Sequence, residues 1–180
     1  MTLTDIANIV LEDLGSKSIG NIDGDDFDAK RIKRRIYFSI DTISKRRNWC
    51  DLRKELTLTT MAGKSVQGLF KFIKPKGLLN IMQSSCKWEN GGDCLLCEEP
   101  NLKIFCTVVS YNPNDWGVNL RNAIIAQLKK DLAFPITNDA NLSSGMLQLA
   151  ERDIQDAMLH DAYDEKQRVI QDRPTWFTGY

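Results

Sequence analysis

The sequence predicts an α+β fold that is predominantly α: a four-helix bundle, a small antiparallel β module inserted between helices two and three, and an extended C-terminal tail. Three observations predict it. Apolar residues recur at steps of three and four in four separate stretches, the pattern of helices that bury one face. Between the second and third stretches the pattern changes to alternation and short β-branched runs. Beyond the fourth, Pro174 stops the helix and three aromatics follow in a segment too short for another element. A chain of 180 residues, 42% apolar and 27% charged, can bury a core that offsets its ordering entropy, which excludes disorder as the overall state.

Each element has its own justification. Thr4 is a natural N-cap, Ile6, Ile9, Val10 and Leu14 share one face, and Gly15 is a natural stop, giving a first helix over about 4–14. Asp25 and Asp26 suit the positive end of a second helix over about 25–47, Ala29, Ile32, Ile36, Ile40 and Ile43 form its stripe, and Lys45, Arg46 and Arg47 suit its negative end. The β module spans about 52–111. Within it Leu56 to Thr60 alternates, Leu78 to Met82 is apolar, Asn90-Gly91-Gly92 tolerates a tight turn, and Leu102 to Tyr111 reads as a buried strand. Asn112 and Pro113 restart helix over about 113–133, with Leu120, Ile124, Leu128 and Leu132 on one face and Pro135 as its end. The last helix runs over about 138–171 with Leu142, Met146, Leu149, Ile154 and Ala157 as its core stripe, a rod on the order of 50 Å. These elements form one domain over 1–172, and 173–180 is a docking tail whose exposed aromatics suit a partner.

Charge is balanced globally, 24 basic against 24 acidic residues, so the chain has no excess cation with which to hold nucleic acid. The balance is not local. Residues 1–90 carry 16 Lys or Arg against 11 Asp or Glu, and residues 91–180 carry 8 against 13, so the halves differ in sign by net charges of +5 and −5. Such asymmetry is a physical reason for copies of the chain to attract one another, or for one surface to face a charged partner; the plainer reading is two solvated faces. The longest apolar stretches fall far short of the roughly 18 residues of a membrane span. Asp5, Glu12 and Asp13 stand where a signal peptide would be apolar, so a reducing cytosolic compartment is expected.

The sequence carries no recognisable catalytic motif. His160 sits mid-helix among Asp156, Asp161 and Asp164 with no nucleophile in a recognisable motif. Gly63-Lys64-Ser65 resembles the end of a phosphate loop, but Leu58 holds the position of its first glycine. Asn21, Asp23 and Asp25 begin like a calcium loop, yet Asp26 and Ile32 occupy its glycine and glutamate positions. No catalytic residue is assigned, and the chain is not expected to be an enzyme. Cell-wall hydrolysis by a carboxylate pair is one alternative, because such pairs have no fixed spacing.

The cysteines allow two readings. Cys86, Cys94, Cys97 and Cys106 bracket a hairpin and include one C-x-x-C pair, which suggests a zinc-stabilised nucleic-acid-binding or regulatory module. The other reading is free thiols packed as small apolar groups. Outer spacings of seven and eight residues, a single C-x-x-C, and Leu95 and Leu96 in its turn favour the second, so no metal or cofactor is expected.

Two regions resemble a known family. The first is the opening helix with Leu14-Gly15, the turn Ile22-Asp23-Gly24-Asp25, the second helix through Ala29, Ile32 and Ile43, and the exit Arg47-Asn48-Trp49 leading to Glu55-Leu56-Thr57-Leu58. The second is Tyr111-Asn112-Pro113-Asn114-Asp115-Trp116, running into Leu120 to Leu132 and Pro135-Ile136-Thr137. In order and spacing these are similar to the tail tubular protein A family, the head-to-tail adaptors of short-tailed bacteriophages. The β module carries little of the resemblance.

The resemblance implies a homo-oligomeric ring of about twelve subunits in the neck of the virion, assembled in the host cytoplasm. It would lie between the portal protein and the tail nozzle, with DNA passing through its lumen without specific binding. It also implies a portal-binding role for the tail. Trp176, Phe177 and Tyr180 would be anchors beside Pro174, and Arg173 would offer a charged hydrogen bond. The acidic stretch from Glu151 to Glu165 is a candidate lumen lining, while Trp49 and Trp116, at helix junctions, are expected in the core.

Overall fold

The structure is a computed structural model that describes residues 1–25, 27–65 and 67–168. Among the described residues four α-helices and seven strands divide between two compact units. The helical unit comprises Met1–Asp51 and Ser110–Gln167, and the β unit comprises Leu52–Val109.

The helical unit begins with α1, Leu3–Asp13, one residue earlier than its sequence suggests. Thr2 rather than Thr4 is the N-cap, closing a reciprocal capping box with Asp5. Thr4 instead accepts a hydrogen bond from the Ile22 amide, at 3.2 Å, and so pins the loop that follows the helix. Gly15, at φ +70°, ends α1 as expected. The Asn8 amide then holds both the N–H and the C=O of Ile19.

Helix α2, Phe27–Arg46, buries the expected ladder of Ile32, Ile36, Ile40 and Ile43. The acidic residues before it serve as ion-pair partners of the helix rather than as a calcium loop: Asp23 pairs with Lys33 and Asp25 with Lys30.

The third helix differs most from expectation. Asn112 caps and Pro113 opens only a 3₁₀ turn, Pro113–Asp115, and α3 proper is Val118–Thr137. Pro135 lies inside α3 rather than ending it. Its missing N–H costs one bond in the last turn, and the helix stops three residues later at Asn138, in the left-handed conformation at φ 53°. Helix α4, Ala140–Arg168, is about 44 Å long at 1.5 Å per residue. Asp139 accepts from the amides of Asn141 and Leu142 at its start. The core stripe expected for it is also corrected. Ile154 and Ala157 are buried as expected, but Leu142 and Leu149 are exposed and Met146 is half-buried, and Ala150 and Asp161 complete the buried stripe instead.

The β unit overturns the predicted fold class. It holds two antiparallel sheets: β1 (Arg53–Leu58), β7 (Leu102–Val108) and β4 (Leu78–Ser84) in the order β1-β7-β4, and β2 (Thr60–Lys64), β3 (Phe70–Ile73), β6 (Cys94–Cys97) and β5 (Trp88–Asn90) in the order β2-β3-β6-β5. Of the described residues 51% are helical and 22% strand, so the fold is not a predominantly helical four-helix bundle with one small module. The reason lies in the second sheet, whose strands of three to five residues leave patterns too short to separate from loops. Both sheets face one core built on Phe72, Leu95, Leu102, Ile104 and Cys106. The turn expected at Asn90-Gly91-Gly92 joins β5 to β6, with Gly92 at φ +82°.

Candidate functional site

The residues that the sequence nominated for portal binding, Arg173, Pro174, Trp176, Phe177 and Tyr180, lie outside the described residues. The last residues expected in the fourth helix, 169–171, lie there too.

The two tryptophans are where the sequence put them. Trp49 is fully buried and donates its indole N–H to the Ile43 carbonyl at 2.8 Å. Trp116, 2% exposed, donates to the Ser110 carbonyl at 2.9 Å. They stand at the two points where the chain leaves the helical unit for the β unit and returns. Asp51 closes the same junction by accepting from the Gly117 amide at 2.9 Å, and any side chain at position 117 would collide with that carboxylate.

Helix α4 is held by charge. Asp161, 2% exposed, accepts from Arg47 Nε at 2.8 Å and from the Cys50 amide at 3.2 Å, while Arg47 also reaches Glu165 at 2.7 Å. The preceding residue, Arg46 at the end of α2, pairs with Glu151 at 2.7 Å, and Lys130 of α3 joins it at 3.4 Å. The Arg46 guanidinium holds the Glu151 carboxyl below its ordinary range. Sequence reasoning missed Asp161 as an anchor. The signal was present: an aspartate in register with Ala150, Ile154 and Ala157 sits on a buried stripe and requires a cationic partner.

Glu151, Asp161 and Glu165 are therefore engaged within the unit, and the acidic surface of α4 reduces to Asp153, Asp156 and Asp164. Asp153, Asp156 and His160 face Asn119, Asn122 and Lys129 of α3 across a groove of about 300 Å³. The groove is polar and open, without a nucleophile. Helix α2 presents a contrasting surface, with Phe27 and Phe38 exposed beside Lys30, Arg34 and Arg35. Next to it Tyr111 donates to Asp41 at 2.7 Å, which raises the phenol to about 12.

The cysteines do not converge. Cys50 belongs to the helical unit, where its thiol meets the Asp161 carbonyl. Cys106 is buried in the β core and turned toward the Lys54 carbonyl, and Cys94 turns toward Gly91. Only Cys86 and Cys97 share a space, a cleft of about 610 Å³ with Trp88, Glu89 and Glu98. Burial first, then the adjoining Cys97, pushes the Cys86 thiol up to about 12, and burial takes Cys106 to about 11. Both are thiols at neutral pH and poor nucleophiles. Among the described residues no three His, Cys, Asp or Glu side chains are placed to hold a metal ion. No helix among them is long and apolar enough to cross a membrane. Compared with known protein families and with curated proteins, the chain matches none.

Proposed function

We propose that the chain is a structural head-to-tail adaptor of a short-tailed phage, one subunit of a ring in the virion neck that joins the portal to the tail nozzle and lets DNA pass. One observation carries the reading. The two sequence stretches that resemble the adaptor family, through Trp49 and through Trp116, are the two junctions of the helical unit, and both indoles are buried and hydrogen-bonded there. The resemblance thus falls on residues that organise the fold, rather than on scattered surface positions. Two further features fit an assembly subunit: a long last helix with exposed leucines, and opposite net charge on the two halves of the chain. In this reading Arg173, Pro174, Trp176, Phe177 and Tyr180 dock on the portal.

The test is native mass of the protein alone and mixed with the portal of its own phage. The expected result is a multi-subunit ring on the portal that is lost when residues 173–180 are deleted. A chain that ignores the portal overturns the reading, and unchanged binding by the truncated chain removes the tail from it.

A further inference from the structure

The exposed apolar side chains of α4 follow an order. Leu142, Leu149, Leu159 and Tyr163 are 43%, 45%, 58% and 62% exposed. Together with Gly145, Arg152 and Asp156, which are exposed as well, they recur at steps of three and four. That is the spacing of a helix that packs lengthwise against another helix. The residues that α4 buries in its own unit, Ala150, Ile154, Ala157 and Asp161, lie roughly half a turn away, and Leu149 and Asp156 stand at the near margin of the seam, where they also line open grooves beside α3. Leu149 thus follows Leu142 by two turns of regular helix, and Leu159 follows Leu149 by nearly three, on a face that the unit itself leaves largely in water.

The seam is complementary to itself when read backwards. If Leu149 lies against Leu159 of a second, antiparallel copy, the same register sets Arg152 against Asp156 and Gly145 against Tyr163. Each pair then occurs twice about a two-fold axis at the level of Ile154. Leucine meets leucine, a guanidinium meets a carboxylate, and the bulkiest side chain meets the residue that has none. Around Gly145 an added Cβ would find nothing within 4 Å, so a tyrosine ring has room there. The parallel register reverses these matches, because Arg152 would face Arg152 and Asp156 would face Asp156. Nucleic acid suits the seam poorly, since one arginine and one aspartate leave it neutral.

We infer that a second copy of this chain docks on α4 through this seam, antiparallel, as an isologous dimer. The inference goes beyond the adaptor reading and does not need it. A ring closes through head-to-tail contacts, whereas this contact is two-fold, so the dimer is a form of the chain outside the ring.

The experiment is sedimentation of the full-length protein over a concentration series, without portal, with Arg152→Asp, Asp156→Arg and the double exchange. The wild type should form a concentration-dependent dimer. Each single exchange opposes like charges and should weaken dimerisation by about tenfold, and the double exchange should restore it. Gly145→Gln, which favours helix but fills the space for Tyr163, should also weaken the dimer while circular dichroism stays unchanged. A protein that is monomeric throughout, a dimer indifferent to the single exchanges, or a double exchange that fails to restore it overturns the inference. So does a mass increase that is accompanied by bound nucleic acid. Ring formation on the portal is read in a separate sample, so either proposal can fail alone.

Discussion

Helices α3 and α4 belong to the same unit and are stabilised by opposite means. Helix α3 has a broad buried face, with Leu120, Ala123, Ile124, Leu128, Leu132 and Ala133 removed from water. Helix α4 is longer, yet its buried stripe is two alanines, one isoleucine and an aspartate. What α4 lacks in apolar contact it replaces with ion pairs to Arg46, Arg47 and Lys130. Apolar burial holds a helix at any ionic strength, whereas exposed ion pairs weaken in salt, and buried ones depend on both partners being present. The difference leaves α4 with exposed surface to offer a partner and α3 with little.

Three substitutions sharpen or break this contrast. The largest effect is expected from Ile124→Ala in α3, which removes a fully buried side chain and should cost about 2–5 kcal/mol in urea unfolding. A cost under about 1 kcal/mol would show that α3 is no better packed than α4. Next is Asp161→Ala, which strips Arg47 and the Cys50 amide of their shared acceptor and should cost about 3 kcal/mol. Hydrogen exchange should locate that loss in α4 while the amides of α3 stay protected, and uniform loss across both helices would contradict separate anchoring.

The smallest effect belongs to Glu151→Gln. The carboxylate is 40% exposed, so after allowance for solvent screening its pairs are worth about 0.5–1 kcal/mol at neutral pH. Its pKa is lowered by folding, so this contribution is present above the ordinary glutamate value of 4.5 and is lost as pH falls through the folded value. Unfolding curves of wild type and variant should therefore converge on acidification and in high salt. A gap that widened in acid would mean that the carboxylate is not stabilised by Arg46 in the folded state.

What could be read beforehand follows the same division. The isoleucine ladder of α2 was legible because one residue type, large and apolar, repeats on one face and is buried throughout. In α4 the expected core of Leu142, Met146, Leu149, Ile154 and Ala157 holds only for Ile154 and Ala157, and the small Ala150 and the charged Asp161 complete it in place of the larger residues. Hydrophobicity alone ranks those faces in the wrong order, because tight packing favours small side chains and ion pairs carry no periodic apolar signal. Pro135 misled for a related reason: a proline in the last turn removes one bond and leaves the rest of α3 intact. In the β unit the strands of six and seven residues, β1, β4 and β7, were visible, and the shorter strands of the other sheet were not. The candidate cysteines were legible as residues but not as a set, since their separation into a core thiol, a cleft pair and a turn depends on pairings across the sheet.

The bond from the Gly117 amide to Asp51 has a consequence for how such a chain can vary. It fastens the two ends of the helical unit to each other at the place where 58 residues of β unit depart and return. The host is thus stapled shut across its own insertion point by a bond between two of its own residues. Because the entropy of closing a loop grows by only about 0.6 kcal/mol for each doubling of its length, guests of very different size can occupy that site at similar cost to the host. The helical unit is in this sense a graft stock, able to keep its geometry while the inserted β unit is lengthened, shortened or exchanged.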